Sequence, residues 1–279
     1  MYWVPLVLVS AFCSAMAVLL QKSFVMKSDP IESATFFQIL ATVFIAAFAI
    51  IHGLDFSGLQ NFVPNLVVMP FIYAGVNYFF FKALKLSEAS EVTLIGSFRS
   101  LLVAVGSTLL LSERLSTAMM IGTLLIIASV FVVFFSPKSM KVNRGHIYAI
   151  IGSALLGLGF INDTFILTRV DVASYEMLAF LLPGILMLLF KPSSLRLFAN
   201  RERILKMTVT SAFYSGAALL LFYAYHFGGL ADQVYPISQS YVIITVILAA
   251  IFLRERDDLL KKAIATLLVL AGIAFLILT

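Results

Sequence analysis

The sequence predicts an all-α integral membrane protein whose ten transmembrane helices form two inverted five-helix repeats. Three observations carry this prediction: the hydrophobicity of the chain, the spacing of its apolar segments and a similarity between its two halves. Of the 279 residues, 62% are hydrophobic and 12% are charged, and the mean hydropathy is +1.06. A soluble domain is about 45–50% apolar and about 25% charged. We therefore expect the chain to lie in a lipid bilayer.

Apolar segments recur along the whole chain, and each is long enough to cross about 30 Å of hydrocarbon as a helix. No basic region precedes the first segment, which indicates a membrane helix rather than a cleaved signal peptide. The single cysteine, Cys13, excludes a disulfide framework. The predicted spans are residues 3–24, 33–52, 64–83, 90–111, 117–136, 146–167, 174–190, 207–226, 232–253 and 260–278.

Lysine and arginine are concentrated in alternate loops between these spans. Setting Arg99 aside, the loops after spans 1, 3, 5, 7 and 9 hold sixteen basic residues with their flanks, and the other loops hold only Arg114 and Arg169. Because basic loops remain in the cytoplasm, both termini are predicted on the outer side of a cell membrane such as a bacterial inner membrane. The net charge of +5 is thus a topology signal, and no nucleic-acid partner is predicted.

The second half of the chain repeats the first with a shift of 142 residues. The shift places Asp29 on Asp171, Glu113 on Glu255, and the first five spans on the last five. We interpret the two glutamates, which close turns at span ends, as helix-cap and interface residues. Because each half has an odd number of spans, the halves cross the membrane in opposite directions, as in many transporters. The predicted repeat units are residues 1–137 and 143–279.

Several segments resemble EamA-type proteins of the drug/metabolite transporter superfamily. EamA half-domains end in a span, an acidic turn and a second span. Two segments are similar to such endings: "SERLSTAMMIGTLLIIASVFVV" and "LRERDDLLKKAIATLLVLAGIAFLI". Their opening resembles "SAFCSAMAVLLQKSFVMKSDPIESATF", and their Pro-containing fourth helix resembles "VYPISQS". The resemblance covers essentially the whole chain and implies a ten-helix bundle that moves small metabolites by alternating access, not an enzyme. Two departures leave the ligand chemistry open: Leu94 stands where the second half has Pro236, and Gln239 stands where many relatives have a basic residue.

One arginine interrupts the apolar run "LIGSFRSLLVAVG" within the fourth predicted span. A charged side chain at the middle of the bilayer costs about 2.5–3.5 kcal/mol on insertion scales, so Arg99 is expected to face the interior of the bundle. Its guanidinium matches a carboxylate bidentately. Arg99 is therefore either a clamp for a substrate carboxylate or half of a structural ion pair with Glu91 or Asp163. Asp163 in turn could carry a coupling proton, bind a ligand amine or neutralise Arg99.

Polar and aromatic side chains of other spans complete the candidate site. The 142-residue shift places Tyr241 at the position of Arg99, and Tyr235 and Gln239 share a helix face because they are four residues apart. Packing for the tyrosines and helix bridging for the asparagines are the alternative roles. The predicted substrate-binding residues are Arg99, Asp163, Asn162, Asn77, Tyr214, Tyr235, Gln239 and Tyr241.

These residues predict a secondary transporter of a small polar metabolite, most narrowly an amino acid or related zwitterion gripped by Arg99 and Asp163. The alternatives are an organic anion held by Arg99, a cation held by Asp163 and tyrosines, or a non-transporting membrane partner or lipid-handling subunit. No ATP-hydrolysis element is recognisable, so a gradient is expected to drive transport, with protons as a candidate coupling ion. No cofactor or metal site is predicted, and a monomer of ten spans is sufficient for a complete pathway.

Overall fold

The computed structural model describes residues 3–99, 102, 117–134, 143–167, 170–227, 234 and 237–277. Within these residues the secondary structure is helical, with 3-10 turns at Leu59–Phe62 and Pro192–Ala199 and a π-helical turn at Ala249–Leu253. The α-helices in the described part of the chain are α1 (Trp3–Val25), α2 (Pro30–His52), α3 (Val63–Leu86), α4 (Ala89–Gly96), α5 (Thr117–Phe134), α6 (Arg144–Leu167), α7 (Val172–Phe190), α8 (Arg201–His226), α9 (Ser240–Leu248) and α10 (Leu259–Ile277).

The prediction of a multi-pass membrane protein is confirmed. Many large apolar side chains are exposed on the bundle surface, for example Ile51, Phe190 and Leu260, which fits contact with lipid. The count of ten spans stays a prediction, because most of the predicted span 90–111 lies outside the described residues. Within those residues, six segments are long and apolar enough to cross a membrane: Trp3–Val25, Pro30–His52, Leu59–Leu86, Arg144–Asp163, Val172–Phe190 and Arg201–Leu221.

α8 and α9 illustrate how the helices differ in extent from the predicted spans. α8 begins at Arg201 rather than at 207, because its charged first turns are still helical: Lys206 and Glu202 form an ion pair of 2.6 Å one turn apart. The ninth predicted span is not one regular helix in its described part, since α9 continues into the π-helical turn. Hydropathy locates the apolar segment but not the polar turns that extend a helix beyond it.

Packing between the helices relates the two halves of the chain. α1 packs along α8, and α3 packs along α6. The shift of 142 residues places α1 on α6 and α3 on α8, so it relates the first of these pairs to the second. α2 packs on α7 and α5 packs on α10, and in both pairs the partners are exchanged by the same shift. Buried side chains from both halves, among them Phe37, Ile126 and Val242, form one apolar cluster.

Equivalent aspartates begin two of these helices. The carboxylate of Asp29 accepts hydrogen bonds from the backbone N–H of Ile31 (3.1 Å) and Glu32 (3.2 Å) at the start of α2. Asp171, its equivalent after the shift of 142, accepts from the backbone N–H of Ser174 (2.8 Å) at the start of α7. Caps of this kind stabilise a helix by about 0.5–2 kcal/mol. The same local chemistry thus starts the second helix of each half.

Gly272→Ala is expected to destabilise the contact between α5 and α10. A Cβ atom at Gly272 would lie 2.7 Å from Cγ1 of Ile126 and 2.8 Å from the backbone oxygen of Gly122. The helix backbone cannot yield as a side chain can, so we expect a loss of about 1–3 kcal/mol. The matched control is Gly216→Ala in α8, where a Cβ atom meets nothing within 4 Å. Thermal unfolding in detergent should give a lower midpoint for Gly272→Ala only, and equal midpoints would contradict the close contact.

Candidate functional site

Arg99 follows α4 and is partly buried between aromatic side chains of two other helices. Its Cζ atom lies 5.9 Å from the ring centroid of Phe160 in α6 and 5.5 Å from that of Tyr241 in α9. A guanidinium stacks favourably on aromatic faces. Both aromatic residues belong to the second half of the chain, whereas Arg99 belongs to the first. The guanidinium is thus held where the two halves meet.

A carboxylate from the second half caps the helix that precedes Arg99. Glu255 is 7% exposed and accepts a hydrogen bond from the backbone N–H of Ala89 (2.7 Å). It also accepts from the backbone N–H (3.1 Å) and the hydroxyl (2.7 Å) of Ser90. A negative charge at a helix N-terminus is stabilising. Glu255 therefore fixes the start of α4, which is the cap and interface role that the sequence indicated. Its counterpart, Glu113, lies outside the described residues.

Further ion pairs surround this cap. Lys262, which is 1% exposed, pairs with Glu88 and donates to the backbone oxygen of Glu255 at 3.3 Å. Burial raises the pKa of Glu88 above its ordinary value, although Lys262 opposes this shift. Nε2 of His146 lies 2.9 Å from Oε2 of Glu91. The carboxylate of Glu91 thus has a histidine partner at the start of α6.

Lysine side chains form hydrogen bonds at the C-terminal end of α3, beside these pairs. Lys22 donates to the backbone oxygens of Leu84 (2.6 Å) and Ser87 (2.7 Å), and Lys85 donates to that of Ser28 (2.6 Å). The C-terminus of α3, the N-termini of α4 and α6 and the turn before α10 thereby form one polar end of the bundle. A cavity of about 470 Å³ opens there. Hereafter we call this region the polar end.

Asp163 lies in α6 and is 9% exposed. Its two carboxylate oxygens accept hydrogen bonds from the hydroxyls of Tyr73 in α3 and Tyr175 in α7. The neighbouring Asn162 accepts from Nδ2 of Asn65 at 2.8 Å through its Oδ1 atom. Hydrogen bonds to a charged group contribute about 1.5–3 kcal/mol each. Asp163 thus connects three helices through tyrosines that we did not select from the sequence.

Asn77 lies in α3 and connects that helix to α2. Its Nδ2 atom donates to Oε1 of Gln38 (2.8 Å) and to the backbone oxygen of Tyr73 (3.0 Å). Gln38 in turn donates to the backbone oxygen of Phe180 in α7 at 2.8 Å. The amide of Asn77 therefore belongs to a hydrogen-bond chain across α3, α2 and α7. It lies one helical turn from Tyr73, the tyrosine that donates to Asp163.

Tyr214 in α8 faces the same interior region. Its ring packs edge-on against Phe37 (5.1 Å between centroids), and lies 5.9 Å from the ring of Phe180. Phe37 is 1% exposed, whereas 40% of Tyr214 is exposed. Tyr214 therefore packs on both α2 and α7 through its ring.

The remaining predicted site residues surround the start of α9. Gln239 immediately precedes this helix and is 2% exposed, and its Oε1 atom has no hydrogen-bond partner among the described residues. An acceptor buried in this way is costly unless a donor reaches it. Tyr235 lies outside the described residues.

Glu176 is a candidate site residue that we did not select from the sequence. It follows Tyr175 in α7 and is partly buried. The hydroxyl of Tyr175 donates to Asp163, so Glu176 directly follows a residue that contacts that carboxylate. The signal was an acidic residue inside the predicted span 174–190. Its closeness to the start of that span made a location at the lipid headgroups equally consistent with the sequence.

The structure thus brings most of the predicted site residues into one interior region. Arg99 lies beside Tyr241, and Asp163 accepts from the hydroxyl of Tyr175, the neighbour of Glu176 in the sequence. The region combines a guanidinium, carboxylates and aromatic hydroxyls. This set of groups can bind a small polar molecule through both positive and negative charges.

Comparisons with known proteins identify the family. The EamA-like transporter family model matches residues 1–135 and 143–278. No curated protein matches the chain. One solved crystal structure is similar over 95% of this chain and 96% of that chain, with a TM-score of 0.59 and 20% sequence identity, so the likeness concerns the fold alone. The family consists of membrane transporters of the drug/metabolite transporter superfamily. Because the two matches cover nearly every residue, the chain belongs to the EamA-like transporter family.

Proposed function

We propose that this transporter moves an amino acid or a related zwitterion across a cell membrane by alternating access, driven by an ion gradient. The observation that carries the proposal is the interior guanidinium of Arg99, stacked between Phe160 and Tyr241. A charge kept in an apolar segment despite its insertion cost indicates a functional site by default. The fork of an arginine fits a carboxylate bidentately.

Ten transmembrane helices in two inverted repeats, residues 1–137 and 143–279, are part of the proposal. Pairs of residues that differ by 142 contact each other: Gln38 donates to Phe180, and Arg99 stacks on Tyr241. Such contacts are expected near a pseudo-two-fold axis. The paired helix contacts and the two family matches support the same division. Substrate sites of inverted-repeat transporters lie at the interface between the repeats.

Within this interface we assign roles to the predicted residues. Arg99 binds the carboxylate, and Tyr214 and Tyr241 flank it with aromatic surface. Gln239 offers its free amide oxygen to a donor on the substrate. Tyr235 is proposed from its helical spacing alone.

In this proposal the two asparagines position helices around the substrate site. Asn77 in α3 donates to Gln38 in α2, and Asn162 in α6 accepts from Asn65 in α3. We propose that they hold α2, α3 and α6 at the distance that the substrate requires, and that their remaining polar atoms line the pathway.

The polar end, in this proposal, faces the cytoplasm, with both termini outside. Lys22 and Lys85 lie there, in keeping with the basic loops that remain in the cytoplasm. Glu255 and Lys262 bind the start of α4 to the turn before α10 at this end. In this proposal these contacts between the halves break when the pathway opens to the cytoplasm, so transport requires Glu255 to release α4.

Uptake into proteoliposomes tests both the function and a role of Asp163 in proton coupling. We expect saturable uptake of amino acids that increases with an imposed pH gradient. Protonation would make one oxygen of Asp163 a hydroxyl donor and a weaker acceptor, so proton binding would change the hydrogen bonds that join α6 to α3 and α7. Asp163→Asn should therefore abolish the response to the pH gradient, while uptake down a substrate gradient continues.

The control for this experiment is Glu202→Gln, which removes a carboxylate whose side chain is 73% exposed. It should leave uptake and its pH response unchanged. A full response to the pH gradient in Asp163→Asn would show that another group carries the proton. Absence of uptake by the parent protein for every amino acid in the panel would contradict the proposed function.

A further inference from the structure

We propose that an anionic phospholipid binds to the lipid-facing surface of the bundle, with the phosphate of its headgroup at Lys82, Tyr78 and Tyr148. These residues belong to α3 and α6, which come from different halves of the chain and pack along each other. The proposal goes beyond the transported substrate, because it concerns the surface of the bundle and not the interior region around Arg99.

The first observation is that Lys82 is held between two tyrosine side chains. Its Nζ atom donates to the hydroxyl of Tyr78, one turn earlier in α3, at 2.8 Å. The same atom lies 4.5 Å from the ring centroid of Tyr148 in α6 and 5.1 Å from that of Tyr78. The ring of Phe79 lies 6.0 Å from that of Tyr148 and 5.1 Å from that of Tyr78. These aromatic contacts fix the ammonium group where α3 and α6 meet.

The second observation is that Lys82 and Tyr78 lie on the lipid-facing side of α3. On the same helix, Val67 and Phe71 are 58% and 60% exposed. Spacings of seven and eleven residues return to nearly the same side of an α-helix. Tyr78 follows Phe71 by seven residues, and Lys82 follows it by eleven. The ammonium group therefore borders an apolar surface one turn before the end of α3, where a lysine reaches the headgroups.

The third observation is the charge of this surface. In the described part of the chain, no carboxylate forms an ion pair with Lys82. Arg144, the exposed first residue of α6, lies one turn before Tyr148 and adds a second positive charge. Basic pockets between membrane helices on the cytoplasmic side attract anionic headgroups. The polar end, to which the end of α3 belongs, has this location in the proposed topology.

The donors of the site match a phosphate. An ammonium group has three donors, and Lys82 uses one of them for Tyr78. The hydroxyl of Tyr78 accepts this hydrogen bond, so its own proton remains for donation. Charged hydrogen bonds to phosphate oxygens are stronger than neutral ones. A phosphodiester thus supplies both the negative charge and the acceptors that these side chains require.

Thermal unfolding of the purified protein in an uncharged detergent tests this proposal. The added lipids are dioleoyl phosphatidylglycerol and dioleoyl phosphatidylcholine, which have the same acyl chains. Because a ligand that binds only the folded state raises the midpoint, phosphatidylglycerol should stabilise the parent protein at a lower concentration than phosphatidylcholine does. Glycerol 3-phosphate at the same concentration should have no effect, since it lacks the acyl chains.

Variants locate the site. A charged hydrogen bond changes affinity by about tenfold or more, so Lys82→Met should raise the half-saturating concentration of phosphatidylglycerol about tenfold. Lys82→Arg keeps the charge and should retain the preference for this lipid. Tyr148→Phe keeps the ring, removes a hydroxyl and should weaken binding severalfold. The matched control is Lys27→Met, which removes an exposed lysine after α1 and should leave the response unchanged.

Four results would overturn the proposal. Equal stabilisation of the parent by both lipids would exclude an anionic site, and this comparison needs no variant. An unchanged preference in both Lys82→Met and Tyr148→Phe would place the lipid elsewhere. An equal loss in Lys27→Met would show a general effect of net charge. Stabilisation by glycerol 3-phosphate as strong as that by phosphatidylglycerol would identify a site for soluble anions instead.

Discussion

Arg99→Ala is expected to reduce substrate uptake to background while the protein still folds and inserts. Truncating one partner of a buried, hydrogen-bonded charge pair costs about 2–5 kcal/mol, which corresponds to at least about 30-fold in affinity. The folded protein should tolerate the change, because the partners seen for the guanidinium include the rings of Phe160 and Tyr241, which pack without it. Uptake by proteoliposomes and the thermal midpoint in detergent measure the two properties separately.

Arg99→Lys is the informative companion to this variant. Lysine keeps the charge but loses the planar fork and the stacking on aromatic rings, so uptake should fall strongly and the midpoint should change little. Arg203→Ala removes an exposed arginine of α8 and should have no effect on either property. Failure of Arg99→Ala to fold, with a large loss of midpoint in Arg99→Lys, would make Arg99 a structural element and not a substrate contact.

Glu255→Ala is expected to open the polar end of the bundle. The change removes the acceptor for the backbone N–H groups of Ala89 and Ser90 and for the hydroxyl of Ser90. Hydrogen bonds to a charged group contribute about 1.5–3 kcal/mol each, so even one net loss shifts an equilibrium between two conformations by about tenfold. The buried residue Val92, 2% exposed in α4, reports this opening as Val92→Cys in a Cys13→Ser background. Its labelling by a membrane-impermeant thiol reagent should become about tenfold faster.

The control lies in the same turn. Asp257→Asn removes an exposed carboxylate two residues from Glu255 and should leave the labelling rate unchanged. The inverted-repeat proposal predicts the opposite effect for Glu113, which occupies the equivalent sequence position. Glu113 should stabilise closure of the other end of the bundle. Glu113→Ala should therefore slow the labelling of Val92→Cys. An unchanged rate in Glu255→Ala would contradict a gating role for this cap.

Much of the fold could be predicted because hydrophobicity alone determines which segments enter a membrane. The helical membrane protein and the EamA-type family are confirmed by the long apolar helices and the family match. The 142-residue shift also paired Asp29 with Asp171, and both aspartates cap helices. Such caps are local, so the sequence near each helix start contains the whole signal.

The candidate site was only partly predictable. A buried charge has a large cost wherever it occurs, so Arg99 could be selected without knowledge of its neighbours. The partners of Asp163 could not, because Tyr73 lies ninety residues away along the chain and reaches it only through packing of α3 on α6. Glu176 was missed for the same reason: only the assembled bundle distinguishes a carboxylate in the interior from one at the headgroups.

The most direct test of a carboxylate clamp at Arg99 is ligand-induced thermal stabilisation of the purified protein and of Arg99→Lys. The ligand panel contains amino acids, organic anions and quaternary amines. We predict that at least one amino acid raises the midpoint of the parent protein, that quaternary amines do not, and that the increase is much smaller in Arg99→Lys. No response of the parent to any carboxylate, together with a large loss of midpoint in Arg99→Lys without ligand, would contradict the proposed clamp.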